Sequence, residues 1–155
     1  MKDQLIPKES IIHSHLPADY VDTHSKEIQC ERRITPEAFL DMAFNQHPKW
    51  IVWLLELRNI LVKPFGLDTK SRFTDMNNDK SLNEIVFGMT DKHLTFYVSL
   101  WCGEHQNNKQ LLKITTVVKY NNTLGKLYFA VIKPFHCVII KTMLRRVGKL
   151  ASKKR

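Results

Sequence analysis

The sequence predicts an α+β fold, in which a curved antiparallel sheet is wrapped around a long C-terminal helix. Short runs of alternating apolar and polar residues, separated by turn residues, fill much of the second half of the chain and indicate a meander of strands. A helical pattern with one apolar arc follows, from about Pro134 to Leu150. Because the apolar face of such a meander must be covered, this helix is its natural cover.

The length of 155 residues predicts one domain with its own core. Residues 1–17 are predicted to be a loose lead-in, residues 18–150 the single domain, and residues 151–155 a basic tail. No apolar run reaches the length of a membrane helix, and the N-terminus lacks the apolar region of a signal peptide. The three cysteines form no CxxC pair and no zinc spacing, so a cytoplasmic protein with reduced thiols is expected.

The first half of the chain predicts one strand followed by two helices. The stretch "YVDTHSKEIQC", residues 20–30, alternates weakly, as a half-buried strand does. Thr35 is suited to cap a helix that has Pro36 at its first position. A second helix is expected over residues 48–62, and residues 64–81, rich in Pro, Gly, Asp and Asn, are expected to form a loop.

The second half predicts four further strands before the last helix. Their separators, "TDK", "GEHQNNK" and "NNTLG", suit hairpins. In the second of these strands Leu94, Phe96, Val98 and Leu100 alternate with more polar residues, which marks the face toward the core. The predicted strands cover residues 83–89, 93–102, 110–120 and 125–132. A curved sheet that grips a C-terminal helix in this way is a helix-grip fold, and such sheets often leave a cavity beneath the helix.

This order of elements resembles the superfamily of START lipid-binding domains, Bet v 1 allergens and polyketide cyclases (SRPBCC). More narrowly, the chain resembles an uncharacterised bacterial family, domain of unknown function 2867, in the segments "HPKWIVWLLELRNILVKPFGL", "HLTFYVSLW", "ITTVVKYNNTLGKLYFAVIKPFH" and "MLRR". The similarity covers about residues 18–147. It implies the helix-grip fold and a bacterial, cytoplasmic setting, and it supplies no catalytic residues.

The charge is concentrated at the C-terminus. The chain has a net charge of +9, and its last thirty residues carry nine basic and no acidic side chains. On a helical projection Lys141, Arg145, Arg146 and Lys149 lie opposite the apolar arc, which predicts a solvated outer face. An interaction with membrane phosphates through this face is the alternative. Nucleic acid is not expected as a partner, because no aromatic residues interleave with these basic ones.

Arg58 falls inside the apolar arc of the predicted helix over residues 48–62. A guanidinium cannot lose its charge there, so it must find a carboxylate or carbonyl, reach solvent, or face a polar cavity. Asp19 or Asp22, near the first strand, could neutralise it. A structural pair and an anion-binding group in a cavity are both compatible with this position.

His136 lies near the centre of the apolar arc of the last helix, so it is predicted to point toward the sheet. It could be a neutral core residue bonded to Thr116, Tyr120 or a carbonyl, a cavity-lining group, or a general acid or base. No metal site is expected, because no second His or Cys lies three or four positions along the helix. Cys137 points about 100° away from His136.

These observations favour a small-molecule binding protein without a cofactor. The ligand would be apolar or amphipathic, with Arg58 and His136 as the polar contacts. The predicted apolar wall consists of Trp50, Phe96, Tyr120, Phe129 and Met143. One alternative is a cyclase- or hydrolase-like enzyme with His136 as its acid or base, and another is an interaction module that uses the basic helix face.

Overall fold

The computed structural model of the protein describes residues 6–45, 77–90 and 93–153. It shows an α+β fold with a five-stranded, curved antiparallel sheet and a long C-terminal helix, the predicted helix-grip arrangement. The strands are β1 (Tyr20–Gln29), β2 (Asn77–Lys80), β3 (Glu84–Thr90), β4 (Leu94–Gln106) and β5 (Lys109–Tyr120), and the helices are α1 (Pro36–Leu40) and α2 (Thr123–Lys153). The spatial order β1-β5-β4-β3-β2 places the first strand beside the last.

The first strand and the first helix agree with the prediction. The Thr35 hydroxyl accepts a hydrogen bond from the backbone N–H of Ala38 at 3.2 Å, with Pro36 at the start of α1. A π-helical turn, Asp41–Asn45, follows directly. The predicted second helix over residues 48–62 lies outside the described residues.

The predicted strand at residues 125–132 is wrong, because these residues belong to α2, which begins at Thr123 instead of near Pro134. The Asn122 side chain accepts a hydrogen bond from the Gly125 N–H at 2.9 Å, and so satisfies a donor of the first turn. Pro134 then sits inside the helix, where it removes one hydrogen bond to the carbonyl four residues earlier. That residue, Ala130, is exposed, so water can solvate the freed carbonyl.

The predicted loop over residues 64–81 is wrong at its end, because Asn77–Lys80 forms strand β2. It pairs with β3 in antiparallel register, with Asn77 opposite Gly88 and Lys80 opposite Ile85. Its sequence "NNDK" has no apolar alternation, which is typical of a short polar strand at the edge of a sheet. The rest of that predicted loop lies outside the described residues.

The main core lies between α2 and the face of the sheet that it covers, called here the inner face. Phe96, Val98 and Leu100 of β4 point to this side, as their alternation predicts. Helix α2 contributes the buried residues Ile140, Met143, Leu144, Val147 and Ala151. An 18-residue window within Thr123–Ser152 has a mean hydropathy of 1.5, so this helix is long and apolar enough to cross a membrane. The core helix of a soluble protein can be equally long and apolar.

Residues 6–16 lie against the opposite, outer face of the sheet. Ile6 and Ile12 form a second apolar cluster there with Val86 and Val117. The buried carboxylate of Glu84 fixes this segment, because it accepts hydrogen bonds from the Ser10 hydroxyl at 2.5 Å and the Ile11 N–H at 2.7 Å. It also accepts one from the Ser99 hydroxyl of β4. Both faces of the sheet are therefore covered.

Candidate functional site

A group of polar side chains lies on the inner face, between β1 and α2. Strand β1 alternates, so Tyr20, Asp22 and His24 point to the same side. Thr116 of β5 is the register partner of Asp22. We call these four residues, together with His136 and Cys137 of α2, the polar cluster. It places several polar side chains in the contact between β1 and α2.

Asp22 is the centre of the polar cluster. Its side chain is 7% exposed. The Tyr20 hydroxyl donates a hydrogen bond to Asp22 Oδ2 at 2.6 Å. The imidazole Nε2 atoms of His136 and His24 lie 3.4 and 3.6 Å from the same oxygen. One carboxylate oxygen thus has three polar neighbours, while Oδ1 has no hydrogen-bond partner within the described part of the chain.

Most of the unpaired buried polar atoms belong to this cluster. Among the described residues, five buried side-chain nitrogen or oxygen atoms lack a hydrogen-bond partner, and four of them are Asp22 Oδ1, His24 Nε2, Thr116 Oγ1 and His136 Nε2. A buried polar group without a partner costs about 1–3 kcal/mol. Four such atoms beside each other indicate a site that binds a polar group, because they bring no stability by themselves.

The protonation of the cluster is coupled through Asp22. Burial by itself would raise the pKa of Asp22, but the nearby His136 and Tyr20 side chains and the charge of His24 outweigh it, so this pKa is lowered. Burial, followed by the Asp22 carboxylate, raises the pKa of Tyr20. Asp22 is therefore a carboxylate at neutral pH, and Tyr20 is a hydrogen-bond donor to it.

Part of the predicted apolar wall lies beside the polar cluster. The Phe129 ring is 4.7 Å from that of Tyr20, 6.1 Å from that of Tyr120 and 6.4 Å from that of His136, measured between centroids. Phe96 packs against the same cluster of buried residues. The structure therefore brings four of the predicted site residues together: Phe96, Tyr120, Phe129 and His136.

The other predicted site residues are not part of this group. Met143 belongs to the main core cluster, seven positions along α2 from His136, which is about 10 Å in an α-helix. Arg58 and Trp50 lie outside the described residues. The predicted neutralisation of Arg58 by Asp19 or Asp22 therefore stays a prediction.

The polar neighbour of His136 differs from the hydrogen-bond partners that the sequence indicated. The nearest carboxylate is that of Asp22, whereas Thr116 Oγ1 has no hydrogen-bond partner among the described residues. Sequence reasoning also missed Tyr20, His24 and Cys137 as members of the site. The pattern Tyr-x-Asp-x-His at positions 20 to 24 is the signal that could have found them, since alternate residues of a strand share a face.

Two cavities that the described residues line are at the far end of α2. One of about 260 Å³ and one of about 490 Å³ both contact Cys30, Glu31 and Ala151. Ala151 is 15 residues beyond His136, about 22 Å along the helix. Neither cavity is lined by a predicted site residue, so the polar cluster is the better candidate site.

Several basic residues in the second half of α2 point to solvent. Lys141, Arg145 and Lys149 are exposed, as the helical projection predicts, while Arg146 is half-buried. The three exposed residues lie on the side of α2 opposite the core, and Arg146 lies at the flank of the helix. Lys133, nearer the start of α2, has its Nζ atom 5.2 Å from the centre of the Tyr20 ring, so the positive charge of the C-terminal region is only partly separate from the polar cluster.

The chain is similar to a known protein family. The model of a family described as "Protein of unknown function (DUF2867)" matches residues 16–143, most of the chain. No curated protein and no solved structure matches the chain.

Proposed function

The chain belongs to the DUF2867 family of proteins of unknown function, and we propose that it binds a small apolar or amphipathic molecule between the sheet and α2. The polar cluster would hold the polar group of this molecule, and Phe96, Tyr120 and Phe129 would contact its apolar part. Further proposals are that the protein is cytoplasmic and bacterial, and that its fold is related to the SRPBCC superfamily that its element order resembles.

One observation carries the binding proposal. The four unpaired buried atoms of Asp22, His24, Thr116 and His136 lie beside an aromatic wall. A binding site for an amphipathic ligand needs this combination, because apolar area supplies affinity and a few placed polar groups fix orientation. A polar group of the ligand that bonds to these atoms would supply the hydrogen bonds that they lack in the fold itself.

Native mass spectrometry of the full chain, purified from its natural source, tests the proposal. We expect a retained organic mass that is released on denaturation. His136→Ala should reduce the retained fraction, whereas His13→Ala, an exposed histidine of the outer face, should not. A folded chain that carries no organic mass and takes up none from a lipid extract of the same cells would contradict the proposal.

An acid–base enzyme in the same place is the second candidate, favoured by the contact of His136 with the buried carboxylate of Asp22. A carboxylate beside an imidazole can fix its tautomer and stabilise its protonated form. In this hypothesis His136 transfers the proton, and Asp22 orients the His136 imidazole. The retained molecule would then be converted to a product by the wild type, and His136→Ala would bind it without conversion.

A further inference from the structure

We propose that Asp22, His24 and Cys137 bind one transition-metal ion of the zinc class, and that this ion holds the polar group of the bound molecule. The role of the ion in holding the bound molecule rests on the proposed function. The metal site itself rests on the ligand atoms of these three residues. Two of them come from β1 and one from α2, so the ion would join the edge strand of the sheet to the helix.

The spacing of the three ligand atoms fits a single ion. The carboxylate oxygen of Asp22, an imidazole nitrogen of His24 and the Cys137 sulfur all lie within 4.8 Å of one another, and the distance between His24 Nε2 and Asp22 Oδ2 is 3.6 Å. Zinc binds nitrogen and oxygen at about 2.0–2.2 Å and sulfur at about 2.3 Å, so the ligand atoms of a tetrahedral site are about 3.3–3.7 Å apart. Small side-chain rotations would bring the three into this range.

The chemistry of the ligand set selects the class of metal. Imidazole nitrogen and thiolate sulfur are ligands of zinc and its borderline neighbours, cobalt and nickel. Calcium and magnesium prefer oxygen ligands alone. A set with one carboxylate, one imidazole and one thiolate thus favours zinc over calcium and magnesium.

A second observation supports the site independently of the spacing. Asp22 is nine-tenths buried, and its Oδ1 atom and His24 Nε2 have no hydrogen-bond partner among the described residues. Tyr20 already donates a hydrogen bond to the Asp22 carboxylate, as outer residues of metal sites do when they orient a ligand. Tyr20 therefore orients Asp22, and one potential ligand atom each of Asp22 and His24 is unsatisfied.

Three protein ligands leave the fourth position of a tetrahedral zinc ion open. A carboxylate or hydroxyl of the bound molecule could occupy it. His136 is outside the group of three mutually close ligands, but it contacts the same carboxylate and borders Phe129. It would face the open position from the aromatic side and could hydrogen-bond the molecule there.

Metal titration of the reduced, chelator-stripped full chain is the experiment. We expect one Zn²⁺ ion per chain, and with Co²⁺ a near-ultraviolet absorption band from thiolate-to-metal charge transfer. Cys137→Ser should abolish the band and weaken Zn²⁺ binding roughly tenfold or more. The matched control Cys30→Ser should keep both, because Cys30 lies near the other end of the inner face. A band that survives Cys137→Ser would overturn the assignment.

A measurement on the wild type tests the metal site without depending on the folding of the variants. Zn²⁺ should protect Cys137 from iodoacetamide and leave the rates at Cys30 and Cys102 unchanged, as read by peptide mass spectrometry. Absence of both protection and stoichiometric binding overturns the metal site. If an organic mass persists after chelation, the small-molecule proposal stands without the metal; if Zn²⁺ binds and no organic mass is found, the metal site stands alone.

Discussion

Asp22 of β1 and His136 of α2 meet in the interior of the protein, with 3.4 Å between the carboxylate Oδ2 and the imidazole Nε2. The two residues are 114 positions apart in the sequence. Their contact joins the edge strand of the sheet to the helix that the sheet grips. It is also a point at which polar side chains enter the interface between the sheet and α2.

The first prediction concerns the stability of the metal-free chain. Asp22→Asn should lower the free energy of unfolding by about 1–3 kcal/mol at pH 7, because a buried carboxylate loses its interactions. The groups that face it are Tyr20 and His24 from β1 and His136 and Cys137 from α2. Urea denaturation of chelator-treated wild type and variant measures the difference.

The pH dependence of this difference follows from the lowered pKa of Asp22. A lowered folded-state pKa gives stability that is present above the unfolded value of about 3.9 and is lost as pH falls through the folded value. The gap between wild type and Asp22→Asn should therefore shrink below about pH 4. Glu27→Gln, an exposed carboxylate on the same strand, is the control and should change stability by less than about 0.5 kcal/mol. A gap that widens in acid would contradict the assignment.

The second prediction tests the N-terminal extension of α2. A Cβ atom at Gly125 would lie 1.9 Å from the carbonyl oxygen of His93, so Gly125→Ala must displace the backbone and should cost about 1–3 kcal/mol. At Gly148 the nearest atom is the end of the Ile28 side chain, at 3.2 Å, which can move. Gly148→Ala should therefore lie within about 1 kcal/mol of the wild type, since alanine also favours the helix. Thermal unfolding compares the two, and equal effects would argue against the close approach at Gly125.

The third prediction concerns Gln110, a buried amide that holds the chain after β1. Its Nε2 donates to the carbonyls of Ile34 and Gly103 at 3.0 and 2.9 Å, and its Oε1 accepts from the Ile34 N–H at 2.7 Å. Gln110→Leu leaves these backbone groups unpaired and should cost about 2–4 kcal/mol in urea denaturation. Gln106→Leu, an exposed position of the same hairpin, should be nearly neutral. A nearly neutral Gln110→Leu would mean that water replaces the amide.

Local signals in the sequence were sufficient for most of the sheet. The hairpin between β4 and β5 turns at Asn107 and Asn108, whose φ angles are 53° and 59°, and asparagine tolerates this conformation better than most residues. Residues 125–132 were wrongly predicted as a strand because they contain β-branched and aromatic side chains, which are common in strands. Their helical state is set by the Asn122 cap and by packing against the strands that flank it.

The polar cluster could be predicted only in part. The helical projection correctly predicted that His136 points toward the sheet, because the direction of a side chain on a helix depends on helical periodicity alone. Its partner depends on which strand ends up beneath it, and β1 reaches that place through pairing with β5, with Asp22 opposite Thr116. Such non-local register is not encoded in any short window, so Tyr20 and His24 were not recognised.

The fourth prediction concerns the segment at residues 6–16. Glu84→Leu removes the acceptor of the Ser10 and Ser99 hydroxyls and of the Ile11 N–H, so the segment should detach from the outer face. Tryptic cleavage after the exposed Lys8 should become several-fold faster while the circular dichroism of the sheet persists. Glu84→Gln is the isosteric control and should have a smaller effect, because hydroxyls can rotate to accept from an amide. Unchanged cleavage in Glu84→Leu would show that Ile6 and Ile12 hold the segment without the carboxylate.

The last prediction concerns the thiols. Burial raises the pKa of Cys102 to about 12, so at pH 8 only about one thiol in ten thousand is the reactive thiolate. Iodoacetamide should therefore modify the half-buried Cys137 first and Cys102 last. The rate at Cys102 in the native chain should rise about tenfold per pH unit up to about pH 10 without a plateau, whereas in urea it should level off near the ordinary thiol value of about 8.5. A plateau near that value in the native chain would mean that Cys102 reacts only after the sheet opens, and rapid modification alongside Cys137 would contradict its burial beneath α2.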